Sequence, residues 1–335
     1  MMKSMDVNPL HPQSFYDDRY RRGYMDAVSP DKAARIGELL GLLPLRAGAR
    51  VLDFGCGVGV ITELLRRALP GCSTWGCDIS PAAIALATAR YPKLQFFVLG
   101  EETAREHAGS FDLIFSHHVL EHVEDIQGAI RTVANLATSP HAFMFHILPC
   151  GNLGSYERNI CDLYENGIEP SCGNRFFFED RSHLRRLTSA ELSALLQAYG
   201  FVEKDAAFAN QFWGAINWIT DGDPRVPLRL FDITRHDIRR PGRLLANLAP
   251  TLSLSLLRAP RRLLSESLRT MRLTLQARDI RLGKATALAL LLPLNLLLLV
   301  PSTVVDLTVR HLARREWRRV RRDERGSEML LLFER

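Results

Sequence analysis

The sequence predicts an α/β fold built on a mostly parallel sheet, and three stretches predict it. The first is Val51-Leu52-Asp53-Phe54-Gly55-Cys56-Gly57-Val58-Gly59, an apolar strand that runs into three closely spaced glycines and then into a helix carrying Ile61, Leu64, Leu65 and Leu69. An apolar run without polar alternation suits a strand covered on both faces. The second is Thr74-Trp75-Gly76-Cys77-Asp78-Ile79-Ser80-Pro81, a strand ending in an acid about twenty residues past the glycines, the spacing at which nucleotide folds hold ribose hydroxyls. The third is Phe111-Asp112-Leu113-Ile114-Phe115-Ser116, followed at once by His117-His118-Val119-Leu120-Glu121-His122-Val123. Strands alternating with helices in this way build βαβ units, whose ligands bind at the carboxyl ends of the strands.

Glycines at 55, 57 and 59 put no Cβ between the backbone and a ligand, and the next helix points its N-terminus at the same place. A dinucleotide fingerprint would need its last glycine at position 60, where the chain has Val60. The loop is of another nucleotide type, or else a plain structural turn. With Asp53 it resembles motif I, D-x-G-x-G-x-G, of the class I S-adenosylmethionine (SAM) dependent methyltransferases. Asp78, the F-D-x-I at 111–114 and the L-E-H-V at 120–123 match that family in the same order. The resemblance implies a Rossmann-like sheet of seven strands, mostly parallel with the last antiparallel, and SAM as cofactor. It implies cofactor contacts from Asp53, Gly55, Cys56, Gly57, Gly59, Asp78 and Ile79, from Ser116 and His117 after the fourth strand, and from Glu101, which stands where the family commonly has Asp.

A chain of 335 residues, 47% of them hydrophobic, can bury a full core. Residues 1–13 hold no apolar run resembling a signal peptide, and the six cysteines show no paired metal-ligand spacing, so reduced thiols in a cytoplasmic domain are expected. Tyr16, Tyr20 and Tyr24 share one helical face ahead of a helix over 31–43, as a segment closing over SAM or as a packing helix. Ser80 and Pro81 start the helix over 84–91. A third strand covers 94–99, a helix 125–137 and a fifth strand 142–148. The loop over 150–187 mixes Tyr156, Arg158, Asn159, Tyr164, Arg175 and Phe176 to Phe178, and reads as an acceptor lid or an ordinary covering loop. Thr188 with Glu191 forms a capping box, Gly200 is a C-cap, and a sixth strand follows over 202–211.

The closing strand that such a sheet needs is found only at 328–334, which divides the chain into a SAM-binding domain over 1–212, an insertion over 213–326 and a final strand over 327–335. The insertion carries the positive charge. Residues 225–325 hold 22 of the 43 Lys and Arg but 8 of the 37 Asp and Glu, leaving that part about +14 and the remainder about −8 within a net +6. Residues 285–305 are apolar and flanked on both sides by arginines, while both ends of the insertion return to one sheet. A shallow re-entrant hairpin bent near Pro293 and Asn295 fits this, with an amphipathic helix over 252–275 on an anionic cytoplasmic membrane face. The soluble alternative is a helical subdomain whose leucines pack on each other or on a second subunit. Nucleic acid is not expected, because the arginines alternate with leucines and no stacking aromatics.

Methyl transfer is an in-line displacement, so the protein aligns the acceptor and, for a hydroxyl, removes its proton. His118, His122 and His183 are the candidate bases, with His146 behind them; His118 and His122, four apart, share one helical face. Ubiquinone-pathway and small-RNA 2'-O-methyltransferases resemble this stretch and bind a divalent metal through E-x-x-E-H. Here His118 stands at the first Glu, which disfavours a hard ion, and no metal is expected. In metal-free relatives Glu121 and His122 are structural. The expected function is SAM-dependent methylation, at oxygen, of a lipid-linked or membrane-associated small molecule such as a glycolipid, glycan precursor or quinone. The alternatives are a soluble methyltransferase whose insertion dimerises and a SAM-binding scaffold without turnover.

Overall fold

The computed structural model describes residues 12–21, 27–138, 140–168, 182–222, 225–277, 293 and 296–335. In chain order the elements are α1 (Pro12–Arg21), α2 (Pro30–Leu40), β1 (Arg50–Phe54), α3 (Val60–Ala68), β2 (Ser73–Asp78), α4 (Pro81–Arg90) and β3 (Gln95–Val98). They continue through α5 (Glu101–Glu106), β4 (Leu113–His117), α6 (Ile126–Leu136), β5 (Phe143–Pro149), α7 (Tyr156–Cys161), α8 (Ser189–Gln197) and β6 (Val202–Ala209). The last are α9 (Trp213–Asp221), α10 (Arg225–Leu230), α11 (Pro241–Ala277), α12 (Leu299–Val320) and β7 (Glu328–Glu334).

The seven strands form one sheet in the order β3-β2-β1-β4-β5-β7-β6. Strands β1 to β5 pair in parallel, with Asp53 beside Gly76 on one side and Phe115 on the other. β7 runs antiparallel to β5, pairing Pro149 with Glu328, so its first residue lies at the carboxyl ends of the parallel strands. This is the Rossmann-like arrangement with an antiparallel last strand. The central strands have no polar face because helices cover both sides: Val51, Leu52, Leu113 and Ile114 are fully buried, as are Ile36 of α2, Leu65 of α3 and Val133 of α6. Local signals read from the sequence account for the helix starts. Ser80 caps α4 through the Ala83 N–H at 3.0 Å, and Thr188 with Glu191 closes a capping box on α8.

The chain divides into two compact units. The first comprises residues 1–151, 180–207 and 328–335 and contains the sheet; the second comprises 152–179 and 208–327. The segment 152–179, expected as part of the lid, thus belongs to the second unit. There Tyr156, Ile160, Leu163 and Tyr164 join Ile216, Ile219, Phe231 and Val309 in one apolar core. Arg175, Phe176 to Phe178 and Tyr24 lie outside the described residues, as do residues 285–292, 294 and 295 of the expected re-entrant hairpin, whose residues 299–305 begin α12. Among the described residues no helix is long and apolar enough to cross a membrane.

Candidate active site

The first unit holds a cavity of about 430 Å³ at the carboxyl ends of β1, β2 and β4, the usual place for a ligand on an open α/β sheet. Its floor is the glycine loop. Gly55 and Cys56 donate their N–H groups to the Cys77 carbonyl at 2.8 and 2.9 Å, which ties the turn to β2. Gly55, Gly57 and Gly59 all have positive φ, at 77°, 51° and 80°. Each has a neighbour in its way as well. A Cβ at Gly55 would collide with Val119, one at Gly57 would come within 2.9 Å of the Tyr20 ring, and one at Gly59 would press on Phe96 and Tyr91 at 3.0 Å.

Two buried carboxylates face this floor. Asp78 accepts the Gly57 N–H and the Ser80 N–H, both at 2.9 Å, and burial still raises its pKa against those bonds. Among the described residues Asp53 accepts only from Thr62 Oγ1, at 2.7 Å; burial, opposed by that bond and reinforced by the Asp78 charge, pushes it up to about 7. A cationic ligand group would restore its ordinary acidity. From α1, Phe15, Tyr16 and Tyr20 line the cavity, and Asp17 accepts from the Ser80 hydroxyl and from the Ala82 N–H at 3.3 Å, fastening this helix to the start of α4.

The histidine wall follows β4. His117 lines the cavity buried, with no hydrogen bond to either ring nitrogen among the described residues, and burial holds its pKa well below the ordinary value. His118 sits at φ 55°, a strained position for a residue with a Cβ, costing roughly 1 to 3 kcal/mol. Both its ring nitrogens are engaged. Nδ1 donates to Glu121 Oε1 at 2.8 Å, while Nε2 lies 3.1 Å from Glu328 Oε1 and 3.2 Å from Lys32 Nζ. Burial and Lys32 disfavour the imidazolium, but the two carboxylates outweigh them and raise its pKa. Lys32 also pairs with Glu328 at 2.7 Å. His122 is held differently. Its Nδ1 lies 3.2 Å from the Ser182 carbonyl, and a hydrogen donated there leaves the lone pair of the neutral ring on Nε2. No described residue bonds Nε2. Ser182 Oγ, which accepts from Arg19 at 2.9 Å, lies 3.0 Å from the same Nδ1.

Of the residues expected from the sequence, Asp53, Gly55, Cys56, Gly57, Asp78, Ile79, His117, His118 and His122 line the cavity. Gly59, Glu101, Ser116 and His183 do not. Gly59 packs against β3 and α4, and Glu101 is exposed as the first residue of α5. Ser116 bonds His146 Nδ1 at 2.7 Å in the sheet, where burial pushes the His146 pKa down to about 4. His183 is buried, its Nε2 4.0 Å from Glu121 Oε1 and its ring 4.6 Å from that of His122. Lys32 and Glu328 had no signal as site residues, although a closing antiparallel strand necessarily delivers its first residue to the ligand end of the sheet.

Among the described residues, two groups bring metal-ligating atoms within 4.8 Å of one another: His117, His118 and Glu328, and Glu121, His122 and His183. In the first, the Lys32 ammonium already lies against Glu328 and His118. In the second, Glu121 Oε2 is buried with no described hydrogen bond, so two imidazoles and a carboxylate fit a divalent ion softer than Mg2+.

A family model described as a methyltransferase domain matches residues 20–203. The chain is 29% identical over 164 residues to the ubiquinone biosynthesis O-methyltransferase of Bordetella avium, covering 44% of this chain and 66% of that protein. It is 36% identical over 153 residues to the protein of the same description from Aromatoleum aromaticum, covering 40% and 59%. It is 34% identical over 134 residues to the trans-aconitate 2-methyltransferase of Variovorax paradoxus, covering 40% and 47%. The matches span less than two thirds of each of these relatives. A SAM-dependent methyltransferase structure from Archaeoglobus fulgidus superposes with a TM-score of 0.41 at 18% identity, covering 58% of this chain and 77% of that one.

Proposed function

The chain belongs to the methyltransferase domain family, with SAM as its cofactor, and from that premise we propose that it methylates a hydroxyl oxygen of an apolar, membrane-associated small molecule. The observation that carries this reading is His122, a cavity-lining histidine held at Nδ1 by Ser182, with no described hydrogen bond at Nε2. When bound, SAM supplies the methyl group as an electrophile on a sulfonium. Gly57, Asp78 and Asp53 hold the cofactor, Phe15, Tyr16 and Tyr20 cover it, and Val119, Val123 and Leu184 give the acceptor apolar walls. With SAM bound, His122 would take the hydroxyl proton at Nε2 while the methyl group passes to the oxygen and its bond to sulfur breaks, the cofactor leaving as the neutral thioether. His118 has both nitrogens engaged and acts as a strut between Glu121 and Glu328. The membrane part of the reading rests on the basic charge concentrated in residues 225–325.

The test incubates full-length protein and radiolabelled SAM with fractionated lipid and soluble extracts. Label in the lipid fraction that survives alkali, as an ether does, supports the reading; release as methanol would mean a carboxyl acceptor, and label confined to the soluble fraction would remove the membrane part. Glu121, His122 and His183 favour one second reading, in which a bound divalent ion supplies Lewis acidity and these residues hold it. Activity unchanged after exhaustive chelation excludes that reading, whereas loss restored by added Zn2+ or Mn2+ establishes it.

A further inference from the structure

α12 is two-sided along its whole length. Ser302, Asp306, Val309, Ala313 and Trp317, at steps of three and four, form a buried stripe. Asp306 anchors that stripe by accepting from Arg258 Nη2 at 2.6 Å, from Arg310 Nε at 2.9 Å and from Arg261. The opposite stripe, also at steps of three and four, is Val300, Val304, Leu307, His311, Arg315 and Arg318. Its first three residues are 71%, 57% and 61% exposed, and Leu296 and Leu297 just before the helix are exposed as well. The outward face therefore changes from apolar to cationic along the axis. At 1.5 Å per residue the apolar part spans roughly 10 Å, and Arg315 and Arg318 lie beyond it about one turn apart.

We propose that this face of α12 is the surface by which the protein docks on a bilayer containing anionic lipid, with Val300, Val304 and Leu307 entering the headgroup boundary and Arg315 and Arg318 meeting lipid phosphates. The proposal rests on the reading that the acceptor is membrane-associated. Charge selects the occupant. A second copy packed apolar half on apolar half would leave the arginines of this face without counter-charges, whereas an anionic leaflet complements them and takes up the valines and leucine too. Polyanions such as nucleic acid would answer the arginines and leave the apolar half in water. Among the described residues no helix can cross a membrane, so the face lies on the surface.

The test sediments full-length protein with vesicles of phosphatidylcholine alone or with added phosphatidylglycerol. Wild type is expected to bind the anionic vesicles at least about tenfold more tightly, and Arg315→Glu/Arg318→Glu and Val304→Asp/Leu307→Asp should each weaken that binding by about tenfold or more. All three proteins should bind SAM equally by calorimetry, which separates a failed surface from a failed methyltransferase reading. Binding to neither vesicle, binding unaffected by both double variants, or a wild-type dimer that Val304→Asp/Leu307→Asp dissociates would each overturn the proposal.

Discussion

Asp53 meets a direct conflict between burial and charge. Its carboxyl is pushed up to about 7 in the folded protein from an ordinary 3.8, so between these values the native state keeps a proton that the unfolded chain has lost. Stability therefore falls as pH rises through that window, by on the order of 4 kcal/mol from this group alone. A bound cation reverses the preference. SAM binding at pH 6 is expected to release a proton from Asp53, seen as a binding enthalpy that varies between buffers of different ionisation enthalpy, and Asp53→Asn should abolish the variation. Equal enthalpies for wild type in all buffers would place the cofactor's charge elsewhere. The two histidines separate by a similar argument. His122→Ala should lower the rate about 100- to 10,000-fold while the protein stays folded and SAM affinity persists, because the ring's other contacts are to the neutral Ser182 and to neighbouring rings. His118→Ala leaves the buried Glu121 carboxylate without its hydrogen-bonded partner, while Glu328 keeps Lys32, and should cost about 3 to 5 kcal/mol of stability. If His118→Ala melts like wild type and His122→Ala turns over normally, the assignment is reversed or void.

At the scale of elements, the glycine loop is held by packing as much as by any ligand. Gly55→Ala drives a methyl into Val119 and should destabilise by about 1 to 3 kcal/mol, part of which Val119→Ala restores. Additive losses in the double variant would show that backbone strain at φ 77° is the whole effect. Such details were partly legible in the sequence. The strands around the loop are short apolar runs bounded by Asp, Gly and Pro, and the closing strand β7 is an isolated Met-Leu-Leu-Leu-Phe run at the chain end, so period and composition located them. Local rules could not find partners brought together by topology. Lys32 reads as one more basic residue on an amphipathic helix, and Glu328 as a strand boundary, until the antiparallel return of β7 sets them beside His118. Glu101 illustrates the converse: motif position suggested a contact, but a helix begins there and turns the side chain to solvent. The segment 152–179 was grouped with the sheet by its place in the sequence, whereas Tyr156, Ile160, Leu163, Tyr164 and Ile168 are buried with the helices of the second unit.

At the scale of the molecule, the sheet is completed only after the chain has built the whole second unit, since β7 lies between β5 and β6. Gly326, just before β7, packs against the backbone of Ala209 at the end of β6, so the chain leaves the sheet and returns to it at adjoining points. Loosening the second unit therefore need not draw β7 away. Arg258 provides the means to test this, being a buried guanidinium that spans α9, α11 and α12. It donates to Asp306, to the Asn217 carbonyl at 2.8 Å and to Thr220 Oγ1 at 2.7 Å. Arg258→Met removes all these bonds and leaves Asp306 short of one counterion, which should cost the second unit about 3 to 5 kcal/mol. SAM stabilises only the unit that binds it, by about 2.7 kcal/mol at a hundredfold excess over Kd. Calorimetric melting of Arg258→Met is accordingly expected to show an early transition indifferent to SAM and a later one that SAM raises, with SAM affinity at low temperature as in wild type. A tenfold loss of affinity in the folded variant would show instead that the cofactor site depends on the second unit.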